Sequence, residues 1–250
     1  MSGGIHLARA CALTVLLACA SAQAASNLLI WPIDPILAHD EQATQLWIEN
    51  QGNEPATMQV RVVRWRQEQG MERYSAQQDV VASPPIVRVN QGSKQLVRLI
   101  RQAPTPAGQE WAYRVVVDEI PQPQTNGKQQ MGIRLQMRYS IPLFTYGQGV
   151  ATRRNGESHV DTDPNKLAWR IVNEQGRPLL QVRNSGDVHV RLSKVQIGGR
   201  TLADGLLGYV LPGSERSWEL PAAAAAAAAA SRLTASINAP ADIWQSAPSR

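Results

Sequence analysis

The sequence predicts an all-β protein built from two β-sandwich domains, and three features predict it. Short runs rich in Val, Ile, Leu, Trp and Tyr recur about every 10 to 15 residues, separated by Gly, Pro, Asn and Asp clusters. Between these runs there is no apolar repeat of helical period. The pattern breaks at Tyr146-Gly147-Gln148-Gly149 and then restarts in the same style.

The first segment is read as a leader rather than as part of the fold. Met1 to Arg9 is short and weakly basic, and Ala10 to Ala20 is an unbroken small and apolar run. Ala22-Gln23-Ala24 then supplies a small-x-small cleavage site. The apolar run falls short of the roughly 20 residues that a membrane-spanning helix needs. Residues 1–24 are therefore expected to be a signal peptide, with the mature chain starting near Ala25. The competing reading, a lipoprotein signal ending at Cys19, has only a loose match in Leu16-Leu17-Ala18-Cys19. Cys11 and Cys19 both fall within the leader, so the secreted chain would hold together by its cores and not by disulfides. No later stretch is apolar enough for stable membrane insertion.

The first domain is expected over residues 25–146. Its strands are predicted at Leu28 to Ile33, Gln45 to Glu49, Met58 to Trp65, Ile86 to Val89, Gln95 to Ile100, Trp111 to Val117 and Gly132 to Ile141. Asn50-Gln51-Gly52-Asn53 reads as a turn. The second domain, residues 147–250, repeats the style at Leu167 to Val172, Pro178 to Arg183, His189 to Ile197, Tyr209 to Leu211, Arg216 to Leu220 and Arg232 to Ile237. Asn184-Ser185-Gly186-Asp187 reads as a hairpin turn. Ala222 to Ala230 is an unbroken alanine run, and neither a short helix nor a loop is favoured there.

Composition and motifs exclude several functions. The net charge of +5 is spread along the chain with no block of basic residues, which argues against nucleic acid as a partner. There is no Gly-x-Ser-x-Gly elbow, no His-Glu-x-x-His, no phosphate-binding glycine loop and no cysteine beyond the leader. His159-Val160-Asp161-Thr162-Asp163 is the one cluster of possible metal ligands. It lacks an evident fourth ligand and is read as a polar stretch. No catalytic residue, metal or cofactor is expected. The seven tryptophans sit mostly within strand patterns, so core packing accounts for most of them.

The segment before the boundary is the most informative. Met131, Ile133, Leu135 and Met137 alternate with Gly132, Arg134, Gln136 and Arg138, which places four large apolar side chains on one face. Periodicity leaves two fates open for that face: the domain's own core, or a partner.

Other residues bear on the choice. Glu110, Trp111, Tyr113, Ile120 and Pro121 resemble the penultimate-strand signature of periplasmic pilus-assembly chaperones of the chaperone–usher pathway. In that family an alternating apolar strand runs into the domain linker, as Met131 to Phe144 does here. Pro84 to Val89, Gln95 to Leu99, Val182 to Gly186 and Tyr209 to Ser214 are similar to the family as well, so the resemblance covers nearly the whole secreted chain. Ile30-Trp31-Pro32-Ile33-Asp34-Pro35 and Ser140-Ile141-Pro142-Leu143-Phe144 resemble the archaic branch, that of Csu-type and spore-coat-U-type pili.

The resemblance implies two immunoglobulin-like β-sandwich domains in an L-shaped arrangement, a periplasmic location and no enzymatic activity. It implies pilus subunits (pilins) and an outer-membrane usher as partners. It also implies that Met131, Ile133, Leu135 and Met137 form a donor strand that fills the groove of a subunit lacking its last strand. The family's Arg and Lys anchors for the subunit's terminal carboxylate do not carry over, because Pro32 and Pro142 stand at those positions. Arg114 is the replacement candidate. Trp111, Tyr113, Val115 and Val117 are expected to face the core, which turns Arg114 to the other face, and a hairpin with the donor strand is expected to bring it near Met137 and Arg138. A surface arginine, or an ion pair with Asp118 or Glu119, is the competing reading. Arg98, Arg101 and Arg138 are second choices. The alternative for the whole chain is a generic secreted binding or structural protein of the pilin or adhesin kind.

Overall fold

The computed structural model describes residues 27–121, 136–150, 162–221, 225 and 231–249, together with the backbone of 152–154 and 158–160. The strands of the first half are β1 (Leu28–Trp31), β2 (Ile36–Leu37), β3 (Ala43–Asn50), β4 (Ala56–Glu68), β5 (Met71–Ser75), β6 (Val80–Ser83), β7 (Ile86–Val89), β8 (Lys94–Arg101), β9 (Glu110–Ile120) and β10 (Arg138–Tyr146). They form two sheets. One has the order β1-β3-β8-β6, and the other β2-β10-β9-β4-β5 with β7 also paired to β4. Leu46, Ile48, Met58, Val60, Val97, Leu99, Val115, Val117 and Leu143 fill the space between them.

After the short pair β11 (Thr152–Arg154) and β12 (Ser158–Val160), the second half contains β13 (Leu167–Glu174), β14 (Arg177–Asn184), β15 (Val190–Ile197), β16 (Arg200–Val210), β17 (Glu215–Glu219), β18 (Leu233–Ile237) and β19 (Ile243–Ser246). Here the sheets are β13-β14-β17 and β16-β15-β18-β19. They enclose a second core of Trp169, Leu180, Val182, Leu192, Val195, Ile197, Leu233 and Trp244. The chain is therefore all-β, with two sandwiches.

The differences from the expected strands have physical causes. The first run ends at Trp31, and after Pro32 and Pro35 the chain re-enters as β2 in the other sheet, parallel to β10 through Phe144↔Ile36. Proline breaks the ladder, and the break lets one segment serve both sheets. β5 (Met-Glu-Arg-Tyr-Ser) is an edge strand with no buried residue, so it carries no apolar alternation to detect. β16 is long, with register shifts against β15 that hide its period.

The Asn184 turn is not a hairpin, because β14 and β15 lie in different sheets. Asn184 is fully buried and its side chain joins them. Its Nδ2 donates to Val188 O and Val210 O, and its Oδ1 accepts from Gly186 N. Asn50 does the same in the first half. It donates to Glu54 O and Val89 O and accepts from Gly52 N where the chain crosses from β3 to β4. Of the alanine run only Ala225 is described, its amide bonded to Pro221 O at 3.1 Å.

Candidate functional site

In β9 the odd positions Tyr113, Val115 and Val117 are buried in the first core, with Trp111 packed at its edge. The even positions therefore face outward, as alternation requires. β4, β9 and β10 are paired so that their outward residues form rows across the sheet. Val63, Arg114 and Pro142 make one row. Arg61, Val116 and Ser140 make the next, followed by Gln59, Asp118 and Arg138. In the other direction the same face carries Trp65, Ala112 and Phe144, then Gln67, Glu110 and Tyr146.

The second sandwich docks on that last part of the face. Trp65, Ala112, Phe144 and Tyr146 form one buried cluster with Val188, Tyr209 and Leu211. Polar groups fix the fit. The Gln67 amide donates to Tyr209 O at 2.8 Å and accepts from Leu211 N at 2.9 Å, so one side chain pairs with the second sandwich as a strand would. The Glu110 carboxylate accepts from His189 N and lies 2.8 Å from His189 Nδ1, and the His189 ring stacks on Phe144 at 3.5 Å between centroids. The β4–β5 turn reaches β17, where Gly70 O accepts from Ser217 N at 3.0 Å and from Arg216 at 2.6 Å. Beside the joint is a cleft of about 290 Å³, lined by Arg64, Trp65, Gln67, Glu110, Leu211 and Ser214 among others.

Arg114 stands where the joint opens. Its guanidinium lies 3.8 Å from the Trp65 ring centroid and 5.5 Å from that of Tyr209. Its Nε is buried without a hydrogen-bond partner, and among the described residues no carboxylate lies within ion-pair distance of it. A cation packed on two rings beside the Tyr74 hydroxyl, with its Nε unpaired, keeps a donor available for an anion at the mouth of the joint.

The other arginine candidates are placed differently. Arg101 is buried and donates to the backbone oxygens of Leu37, Ala38 and His39, which makes it a tie for that loop. Arg98 is exposed on β8, in the other sheet. Arg138 is ion-paired with Asp118. One expectation is corrected here: Arg114 is not beside Met137 and Arg138. The register sets it across from Pro142, while Arg138 faces Asp118 and Met137 O accepts from Glu119 N. Nor does Arg114 pair with Asp118 or Glu119.

Asp118 is shared by two cations. It accepts from Arg61 at 2.6 Å and from Arg138. Burial raises the pKa of this carboxyl, but the hydrogen bonds and charges of the two arginines outweigh it and hold the group below the usual carboxylate range.

Along β10 and at Met137 just before it, the odd positions change environment. Leu143 is fully buried and Ile141 is 7% exposed, Tyr139 is half-buried, and Met137 is 38% exposed. Of the four alternating apolar residues only Met137 is described. Met131, Ile133 and Leu135 lie outside the described residues. So do the side chains of His159 and Asp161, and among the described residues no group of His, Cys, Asp or Glu could hold a metal. Asp163 instead caps a short turn, accepting from Asn165 N at 2.9 Å. No helix among the described residues is long and apolar enough to cross a membrane.

From sequence, Glu110, Phe144, Tyr209 and Leu211 were noted only within family-like stretches, and no residue was read as joining the two sandwiches. In the structure the burial parity of β4 changes where the joint begins: even positions are buried at Met58 and Val60, odd ones at Trp65 and Gln67.

Residues 34–151 match the family model described as pili and flagellar-assembly chaperone, PapD N-terminal domain. Among solved structures, the chain is similar to the CsuC–CsuE chaperone–tip adhesion subunit pre-assembly complex from archaic chaperone–usher Csu pili of Acinetobacter baumannii. The match has 28% identity and a TM-score of 0.72, over 90% of this chain and 100% of that one. The E. coli chaperone DraB shares the fold at 17% identity and TM-score 0.61, covering 90% and 97%. A chain of the Salmonella enterica SafA pilin–SafB chaperone complex shares it at 16% and 0.64, covering 90% and 98%. No curated protein sequence matches the chain.

Proposed function

Because the chain belongs to the non-enzymatic chaperone family of the chaperone–usher pathway, we propose that it captures pilus subunits in the periplasm by lending them a strand, then delivers them to an outer-membrane usher. The observation that carries this reading is the gradient along β10. Its apolar phase is spent on the chain's own core at Leu143 and Ile141 and is exposed at Met137, and Leu135, Ile133 and Met131 follow in the same phase. A groove in a subunit lacking its last strand would bury these side chains, each contributing roughly 1.5–3 kcal/mol before ordering costs. In this reading residues 1–24 are the removed signal peptide. Residues 25–146 carry the donor segment, and residues 147–250 form the second immunoglobulin-like domain.

Arg114 anchors the subunit's terminal carboxylate. It lies directly across from Pro142, so it stands in the same row as the lysine that the resemblance leads one to expect there. Two parallel hydrogen bonds from a guanidinium suit a carboxylate.

The test is copurification of the tagged chain from a periplasm expressing pili, beside the Ile133→Ala/Leu135→Ala variant. A stoichiometric small subunit, present with the wild type and absent from a folded variant, is expected. A variant that no longer folds, or one that retains the subunit, assigns the segment to the chain's own core and refutes the reading.

A further inference from the structure

The outward face of the six-stranded sheet beyond the joint has a second property that strand donation does not use. Its rows carry Arg114, Arg61 and Arg138. On the far side of β4, β7 adds Ile86 and Arg88, which pair with Gln59 and Thr57 and so share their face. Arg88 is exposed, the side chains of Arg61 and Arg138 are 48% and 70% exposed, and Ile86 is 53% exposed. Four arginines thus stand on rows whose one carboxylate, among the described residues, is Asp118.

Asp118 does not neutralise the face so much as arrange it. Its two oxygens take one Nη of Arg61 on β4 and the Nε of Arg138 on β10, so a single carboxylate on the strand between them fixes both guanidiniums. Both side chains stay largely exposed, and among the described residues Asp118 is the ion-pair partner of each. Between the cations the surface is mixed, with Val63, Val116 and Pro142 half-buried or buried, Ile86 exposed, and the uncharged Thr57, Gln59 and Ser140 among them. Fixed cations over an uncharged, partly apolar floor, beside the place where β10 begins, match the anatomy of a docking face and select for acidic partners.

We propose that this face docks an acidic surface on the body of the subunit whose groove the donor segment fills. The inference rests on the strand-donation reading. The face steers the subunit electrostatically before its groove is filled, so its effect falls on the rate of association. Screening has a range of about 8–10 Å in ordinary buffers, which makes that rate sensitive to salt.

The experiment measures association and dissociation rates of the full chain with the subunit obtained by copurification, at about 50 and 500 mM NaCl. Wild type is compared with Arg61→Gln/Arg88→Glu and with Ile133→Ala/Leu135→Ala. Arg88→Glu alone serves as a second variant, since Arg88 makes no ion pair among the described residues and its loss leaves the Asp118 cluster intact. Association of wild type is expected to slow about tenfold with added salt. The double arginine variant should start about tenfold slower and lose most of that salt dependence, with its dissociation rate little changed. Wild-type association indifferent to salt, or arginine variants that associate as fast as wild type, would overturn the docking face while leaving strand donation intact. Undiminished capture by the Ile133→Ala/Leu135→Ala variant would overturn strand donation and this inference with it.

Discussion

Replacing Gly70 by Ala tests whether the two sandwiches are held by direct backbone contact. Gly70 has φ +73°, and a Cβ built there lies 2.6 Å from Ser217 Oγ and 3.2 Å from Ser217 Cβ. Two costs are combined. A side chain in the left-handed region costs roughly 1–2 kcal/mol, partly offset by the stiffer unfolded chain, so about 1 kcal/mol remains. The second cost is the approach to β17. Ser217 Oγ has no hydrogen-bond partner and can rotate away, but its Cβ cannot, so the strands must part by a few tenths of an ångström. Weakening the Ser217 N–Gly70 O bond adds about 1 kcal/mol.

Gly92→Ala isolates the first cost, because Gly92 has φ +66° and nothing within 4 Å of its added Cβ. Thermal unfolding of both variants is expected to show Gly92→Ala near 1 kcal/mol and Gly70→Ala near 2, a further 2–4 °C at this chain length. X-ray scattering should show a shift in the mean separation of the sandwiches for Gly70→Ala alone. Equal destabilisation by the two variants would refute the argument, since the contact at Ser217 would then contribute nothing.

Three further outcomes are expected. Arg114→Ala should cut subunit copurification at least about tenfold, as loss of a charge-assisted bidentate contact does, with an unchanged near-ultraviolet circular dichroism spectrum; wild-type recovery would return Arg114 to a surface role. Gln67→Ala strands the buried Leu211 N–H and Tyr209 carbonyl, and calorimetry should register about 2–3 kcal/mol and a less cooperative transition. The Asp118 carboxyl is held below its unfolded value, so its contribution is full above about pH 4 and is lost as pH falls through the lower folded value. Acid titration of stability should therefore be steeper for wild type than for Asp118→Asn.

How far the sequence was legible depended on whether a feature was local. Alternation within β9 was enough to turn Tyr113, Val115 and Val117 inward and Arg114 outward. It could not say which row Arg114 occupies, because that is set by pairing with β10 across a long connection. The face was therefore right and the neighbours wrong. The joint was hidden for a different reason. Trp65 and Phe144 look like core residues whichever side they face, and their partners Val188, Tyr209 and Leu211 are more than 40 residues away in sequence. The turns at Asn50 and Asn184 were legible as turns, since an Asn whose side chain can accept from the backbone of a Gly two residues on is strong local chemistry. That both cross between sheets was not, because sheet membership is decided by distant partners.

The outward faces of β4, β9 and β10 change owner partway along, from the second sandwich at Trp65, Ala112 and Phe144 to open solvent at Arg61, Val116 and Ser140. A chimera that took one sandwich from this chain and the other from a relative would thus inherit mismatched halves of a single surface. Such exchanges should succeed only when Gln67, Glu110 and Phe144 travel with the residues they meet at Val188, His189, Tyr209 and Leu211. For recombination the unit is the joint, and the crossover points that respect it lie inside strands, not in the link between the sandwiches.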